Sequence, residues 1–177
     1  MKIAFFGVAG SGKDFLAFAL SKQRKFHMLS FGKYLKEICA EIFPEVYPYV
    51  EDSDKIIPKY GKSHREIWIE VASSLRKIDN EIFVKKVEQK IKRVEEKEKE
   101  EKPNIIITDL RDEVEYNMLS NHGFIFIHVI PRDGAVKPKN EYDDRIQVLK
   151  MKEHQVFINS FEGRKTIDDF IRFLDRL

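Results

Sequence analysis

The chain is 177 residues long, enough for one domain with a full hydrophobic core. Its 32 Lys and Arg nearly balance 30 Asp and Glu, and the net charge of +2 gives no electrostatic ground for a nucleic-acid or membrane-surface partner. Cys39 stands alone, which excludes an internal disulfide framework and a cysteine-based zinc cluster, and no run approaches the ~20 apolar residues of a membrane span. With a first strand predicted from Ile3 there is no room for a signal peptide, so a cytoplasmic location is expected. Charged residues reach 35%, above the ~25% of an average domain, a Lys- and Glu-rich bias compatible with a thermophilic host.

Ile3, Ala4, Phe5 and Phe6 predict a buried first strand, followed by GVAGSGKD from Gly7 to Asp14 and a helical pattern from Phe15 to Leu20. A short strand is predicted over 26–29, then a helix over 34–43 with Leu35, Ile38 and Ile42 on one face. Residues 44–62 carry three prolines and little periodicity, and predict an irregular region. Ser63 to Glu66 spells S-x-x-E, a capping box opening a helix that carries Ile67, Val71 and Leu75. Asp79 is the predicted cap of the next helix, where Ile82, Phe83, Val87, Ile91 and Val94 recur at helical spacing. The run EEKEKEEK over 95–102 has no apolar residue and reads as a solvated helix end.

The stretch Asn104 to Thr108, NIIIT, suits a parallel strand covered on both faces. A helix over 110–120, a strand over 124–130 and a strand over 155–158 follow. The last predicted element is a helix capped by Thr166, with Ile167, Phe170, Ile171 and Leu174 facing inward. Five strands separated by helices argue for an α/β three-layer sandwich around a five-stranded parallel sheet, in a single domain over 1–177.

The glycine run has the strand-loop-helix context of a phosphate-binding P-loop. Gly7, Gly10 and Gly12 admit backbone conformations closed to residues with a β-carbon, so successive N–H groups can turn inward around a polyphosphate. Lys13 adds positive charge at the β- and γ-phosphates, and the helix aims its positive dipole end at the same place. The nucleotide-binding set is therefore Gly7, Ala9, Gly10, Ser11, Gly12, Lys13, Asp14 and Phe15. Asp14 stands where Ser or Thr normally offers a hydroxyl to Mg²⁺; its carboxylate can serve the metal, or complement the helix dipole, or both.

A second constellation, Thr108-Asp109-Leu110-Arg111-Asp112, lies at the carboxyl end of the third strand, the edge at which open parallel sheets bind ligands. Asp109 there can hold Mg²⁺ and Arg111 can fork onto phosphate oxygens. The competing reading makes Asp109 a helix cap and Arg111 its neighbour. Arg65, in the first turn of a helix, opposes the dipole and calls for another reason such as a bound anion. Arg132, in the loop PRDGAVKPKN, and Arg145 just beyond it complete a phosphoryl-transfer set on a predicted lid over about 131–150. Surface placement of each of these arginines is the alternative.

The stretches GVAGSGKD, SFGKYLKEIC, GKSHREIWIEVASSLRKIDNEIFVKKV and IIITDLRDEVEYNMLSNHGFIFIHVI resemble, in order and spacing, the deoxynucleoside monophosphate kinases of tailed bacteriophages, with a weaker echo in QVFIN. That family's P-loop also carries Asp after its Lys. The resemblance implies a P-loop kinase fold with strand order 2-3-1-4-5, ATP with Mg²⁺ as donor, a nucleoside monophosphate as acceptor, and a monomer or homodimer. It matches Lys13 to the P-loop lysine, Arg65 to the arginine that opens the family's acceptor-binding helix, and Asp109 and Arg111 to a D-x-R motif for the acceptor phosphate and metal. Together with the arginines and Asp14 read above, the expected catalytic set is Lys13, Arg111, Arg132 and Arg145, the metal set Asp14 and Asp109, and the acceptor set, over about 30–85, Lys36, Arg65, Arg76, Phe83, Asp109, Arg111 and Glu113. Phe83 falls where the family often has Trp, which implies base stacking; its helical spacing beside Ile82 also fits a core position. Three places depart from the family: Lys33-Tyr34 for Asp-Pro, Ala72-Ser73 for Gly-Thr, and Pro131-Arg132 reversing Arg-Pro. Animal-type phosphomevalonate kinases share the SGKD loop, an LKE segment and the D-x-R motif, and imply a phosphorylated isoprenoid precursor as the alternative acceptor. A nucleotide-binding switch without transfer is the remaining class.

Overall fold

In a computed structural model, which describes residues 1–98, 102–132 and 146–177, the apolar runs become five parallel strands. These are β1 (Lys2–Phe6), β2 (His27–Leu29), β5 (Ile105–Ile107), β6 (Ile125–Pro131) and β7 (Gln155–Asn159). They are hydrogen-bonded in the order β2-β5-β1-β6-β7, which counted within this sheet alone is 2-3-1-4-5, as expected. Between them run α1 (Lys13–Arg24), α2 (Gly32–Ile42), the two-residue strands β3 (Ile56–Ile57) and β4 (Lys62–Ser63), α3 (His64–Ile78), α4 (Ile82–Lys97) and α5 (Glu113–Asn121). The helix Arg164–Leu174 follows β7 and is α6 here. Contacts divide the chain into two compact units, 1–29 with 91–177, and 30–90.

Alternation along the strands gives the sheet of the first unit two apolar faces. Ile3, Phe5, Ile106, Ile127, Val129 and Phe157 pack with Leu16, Ala17 and Leu20 of α1 and Phe170 and Leu174 of α6. On the opposite face Phe126 stacks on Tyr116 of α5 at 3.9 Å. Helices on both faces make the three layers, and explain why Ile105, Ile106 and Ile107 are all fully buried.

The second unit has its own cluster: Cys39, Val46, Ile57, Ile67 and Trp68, with Leu35, Phe43, Val50, Tyr60 and Val71 packed against them. The region read as irregular contains one ordered element, the antiparallel β3-β4 pair, in which Ile56 faces Ser63 and Ile57 faces Lys62. Two residues per strand are too few to leave a period in the sequence.

Capping decides three helix starts. Ser63 Oγ accepts from Glu66 N at 3.2 Å while Ser63 N donates to Glu66 Oε2 at 2.7 Å, the reciprocal box expected. Asp79 accepts from Glu81 N at 3.0 Å and its carbonyl from Ile82 N at 3.1 Å, ahead of α4. Thr166 is not the cap of α6. Gly163 occupies that position, and Thr166, within the first turn, reaches back so that its Oγ1 accepts from Glu162 N at 2.9 Å. Within the Glu/Lys run α4 continues to Lys97, and residues 99–101 lie outside the described ones.

Replacing Ser63 by Ala removes the acceptor for Glu66 N and should lower stability by about 1 kcal/mol. Urea unfolding, with amide exchange in the first turn of α3 rising first, measures it; unchanged exchange there would mean the box contributes nothing.

Candidate functional site

Because all five strands of the main sheet run parallel, their carboxyl ends and the loops leaving them share one edge. That edge gathers the glycine loop after β1, Thr108 to Asp112 after β5, Arg132 after β6, and Asn159 at the end of β7 with Ser160 to Glu162 after it. Leu110 N donates to Phe5 O at 3.3 Å, lacing the D-x-R segment to β1 two residues before Gly7.

The loop has the backbone that a polyphosphate cradle requires. Gly7, Gly10 and Gly12 have φ of 143°, 80° and 90°. A β-carbon on Gly7 would stand 2.5 Å from the Val129 carbonyl oxygen, and one on Gly12 would overlap Asn159 Nδ2. Gly12 opens α1 without a side-chain cap, the arrangement in which first-turn N–H groups bond to a ligand or water. Lys13 Nζ curls over the loop and donates to Gly7 O at 2.7 Å, Val8 O at 2.8 Å and Ser11 Oγ at 3.2 Å. Asp14 and Phe15 are exposed in the first turn of α1, and Ser11 is fully buried.

Asn159 is the loop residue that sequence reading missed. At 1% exposure it donates from Nδ2 to Ser11 O at 2.9 Å and accepts at Oδ1 from Phe161 N at 2.9 Å. Its partner lies 148 positions away. The one available signal was an Asn closing the last strand, within the QVFIN echo.

After β5 the cap of α5 is Asp112, whose side chain accepts from Glu115 N at 3.0 Å. Helix capping therefore does not account for Asp109, and the helix starts at Glu113 rather than at 110 because Asp112 supplies the cap. Arg111 N donates to Glu115 Oε2 at 2.8 Å, which fixes the backbone beside the half-buried Arg111. Glu113 is paired with Lys152. Arg132 N donates to Asn159 O at 2.9 Å and its guanidinium pairs with Glu162 at 3.3 Å. Arg145 and the expected lid over 133–145 lie outside the described residues.

Next to the loop, His128 of β6 stacks flat on Phe6 at 4.6 Å, with His154 edge-on to both rings. Burial first, then the charges of Lys150, His154 and Lys13, push the His128 imidazole down from 6.5 to about 4. It is neutral near pH 7.

The remaining predicted residues lie in the 30–90 unit. Arg65 has a partner within the protein: Nε pairs with Asp54 Oδ1 at 2.6 Å and Nη2 donates to Ser53 Oγ at 2.9 Å, so no bound anion is needed to explain a cation in the first turn of α3. Phe83 is 6% exposed with the Arg76 guanidinium 5.2 Å above its ring, the core position that its spacing predicted. Lys36 Nζ lies 4.7 Å over the ring of Trp68.

Among solved structures, dephospho-CoA kinase from Campylobacter jejuni resembles this chain with a TM-score of 0.53 at 16% identity, covering 99% of this chain and 96% of that one. The fold is that of the P-loop kinases. Weaker likenesses are to a putative kinase from Chloroflexus aurantiacus (TM-score 0.49, 8% identity, 99% and 94% covered) and to deoxyadenosine kinase from M. mycoides with bound dATP (TM-score 0.45, 15% identity, 99% and 100% covered). At these identities the likeness is one of fold. The sequence matches no family model and no curated protein. No helix of the described residues is long and apolar enough to cross a membrane.

Two outcomes follow from the loop and its neighbour. Gly12→Ala should cost more than about 2 kcal/mol, from strain at positive φ plus overlap with Asn159, and Asn159→Ala about 2 kcal/mol, from a stranded Ser11 carbonyl and Phe161 N–H. Because truncating Asn159 removes the overlap, the double mutant should lose clearly less than the sum in a urea-denaturation cycle; strict additivity would separate the two residues. His128, with its folded value depressed, stabilises the fold fully above about pH 6.5 and loses that contribution as pH falls to about 4, at most roughly 3 kcal/mol. His128→Phe keeps the stack and should flatten the stability profile between those pH values.

Proposed function

We propose that this chain transfers the γ-phosphoryl group of ATP to a deoxynucleoside monophosphate, giving the diphosphate. The observation that supports the proposal is one sheet edge carrying two segments suited to phosphate: the positive-φ glycine loop with Lys13 folded over it, and Asp109-x-Arg111 starting two residues past the neighbouring strand. A protein that only bound a nucleotide would need the first alone.

In this reading the loop N–H groups and the N-terminus of α1 hold the donor phosphates, and Lys13 exchanges its loop carbonyls for phosphate oxygens as they arrive. Arg111 holds the acceptor phosphate in line with the donor. Phosphoryl transfer is mostly charge neutralisation and positioning, which suits a site furnished with fixed cations rather than an acid-base pair. The site residues fit Mg²⁺ without enclosing it. Asp14 and Asp109 offer hard oxygens, and among the described residues no cluster of three or more metal-binding side chains exists, so phosphates and water would supply the other ligands, the usual arrangement for this ion. When bound, the metal supplies charge neutralisation of the phosphates.

The 30–90 unit is the proposed acceptor module. Lys36, Arg65 and Arg76 are its candidate contacts, and each would have to trade a partner within the unit for the acceptor. Cytoplasmic location and the choice of monomer or homodimer belong to the same proposal.

A panel of deoxynucleoside and ribonucleoside monophosphates with ATP and Mg²⁺ tests the reading directly. Phosphorylation of a phosphorylated isoprenoid precursor alone would transfer the chain to the phosphomevalonate-type alternative, and nucleotide binding without any transfer would make it a switch. Lys13→Ala should lower kcat/KM by about 3 kcal/mol or more with the fold intact by circular dichroism. Arg111→Ala should raise the acceptor KM, lower kcat or both, while the ATP KM stays within about twofold; the opposite pattern reverses the assignment of the two phosphate sites.

A further inference from the structure

Helix α3 opens with two aromatic residues, one turn apart, whose polar atoms have no partner. His64 and Trp68 stand at i and i+4, on one face of the helix. They are 8% and 9% exposed, and His64 Nδ1, His64 Nε2 and Trp68 Nε1 are all buried without a hydrogen bond. Leaving such a group buried and unpaired lowers stability, so packing alone would be better served by Phe at both positions. Their surroundings are aromatic and cationic. Tyr47 stacks on the His64 ring at 6.2 Å with 28° between planes, the Trp68 ring meets His64 edge-on at 6.0 Å, and Lys36 Nζ lies over Trp68. Tyr47 itself is 58% exposed and lies between α2 and β3, in the proline-bearing stretch. It is the mostly exposed neighbour whose displacement would uncover the imidazole.

We propose that His64 and Trp68 are a recognition pocket for the polar edge of a planar heteroaromatic ring, the nucleobase of the acceptor, and that Tyr47 lifts to admit it. The imidazole brings two ring nitrogens that can hydrogen-bond, and the indole one N–H donor. A nucleobase edge presents donors and acceptors side by side in one plane, whereas a sugar phosphate or an isoprenoid phosphate has no such edge. The identity of the ring as an acceptor base rests on the phosphotransfer reading above. Base recognition thereby moves from Phe83, which is buried and has no polar atom, to residues whose unpaired nitrogens require a partner.

Trp68 is the only tryptophan, so emission of the full-length protein reports on the pocket itself. Titration with the four deoxynucleosides and their monophosphates, without ATP, should give a saturable emission change for at least one base, and deoxyribose 5-phosphate should give none. His64→Phe should raise the melting temperature, by removing two unpaired nitrogens, yet raise the acceptor KM at least about tenfold with the ATP KM unchanged; Trp68→Phe should move the acceptor KM the same way. Acceptor KM values within twofold of wild type in both variants would overturn the pocket. So would an equal emission response to base-free deoxyribose 5-phosphate, or a lower melting temperature for both variants. If the wild-type protein phosphorylates no nucleotide, the phosphotransfer reading fails, and the emission titration alone decides: a saturable response to deoxynucleosides sustains the pocket and its absence refutes it.

Discussion

The start of α1 is held by neighbours that leave no room for a β-carbon at either end of the loop, and the strands that supply them are the last two of the sheet. Gly7 faces the Val129 carbonyl of β6 and Gly12 the carboxamide of Asn159, which closes β7. The pairing of β6 with β7, from Ile127 opposite Gln155 to Pro131 opposite Asn159, therefore sets the curvature of a loop formed by residues 7 to 12. A one-residue slip of β7 would turn its side chains to the other face and withdraw Asn159 from Ser11. The cradle is local in sequence and non-local in cause.

The D-x-R segment depends on a similar division of labour. β5 lies between β2 and β1, so the chain leaving it must emerge beside the glycine loop. Had Asp109 capped α5, Leu110 and Arg111 would have been drawn into the helix. Asp112 takes the cap instead, and the buried Glu115 then receives both Asp112-directed helix geometry and the Arg111 N–H. Five residues, Thr108 to Asp112, are left outside any helix or strand at the carboxyl edge of the sheet, with the backbone tied down at Leu110 N and Arg111 N.

How much of this was legible depended on the range of the interaction responsible. The unbroken Ile run at 105–107, the box at Ser63 and Glu66, and the glycine spacing all act within a few residues, and the sequence displays them. Asp109 and Asp112 are equally good caps by composition, and only the path of the chain after β5 chooses between them. Thr166 stands before an apolar period like a cap, yet Gly163 takes the cap position at positive φ and Thr166 stabilises the loop from inside the helix. Arg65 looked unexplained because its counter-charge, Asp54, lies 11 residues upstream in a stretch without period. Asn159 was out of reach for the same reason at greater distance.

The treatment of buried polar groups differs between the two units. In the first, Glu115 binds Arg111 N, Asn159 binds Ser11 O and Phe161 N, and Thr166 binds Ser160 and Glu162 N, so each of these three buried polar side chains fastens a loop. In the second, the buried Ser63 does the same through its capping box, but one residue later the rule lapses. The unpartnered buried side-chain nitrogens of the described residues belong to His64 and Trp68 alone. A chain that satisfies such groups elsewhere, and that has Phe at many other apolar positions, keeps the polar aromatics here at a cost to its own stability. Local departures of this kind are expected where a structure is built for something other than its own folding, and this one sits on the helix that the phosphotransfer reading assigns to the acceptor.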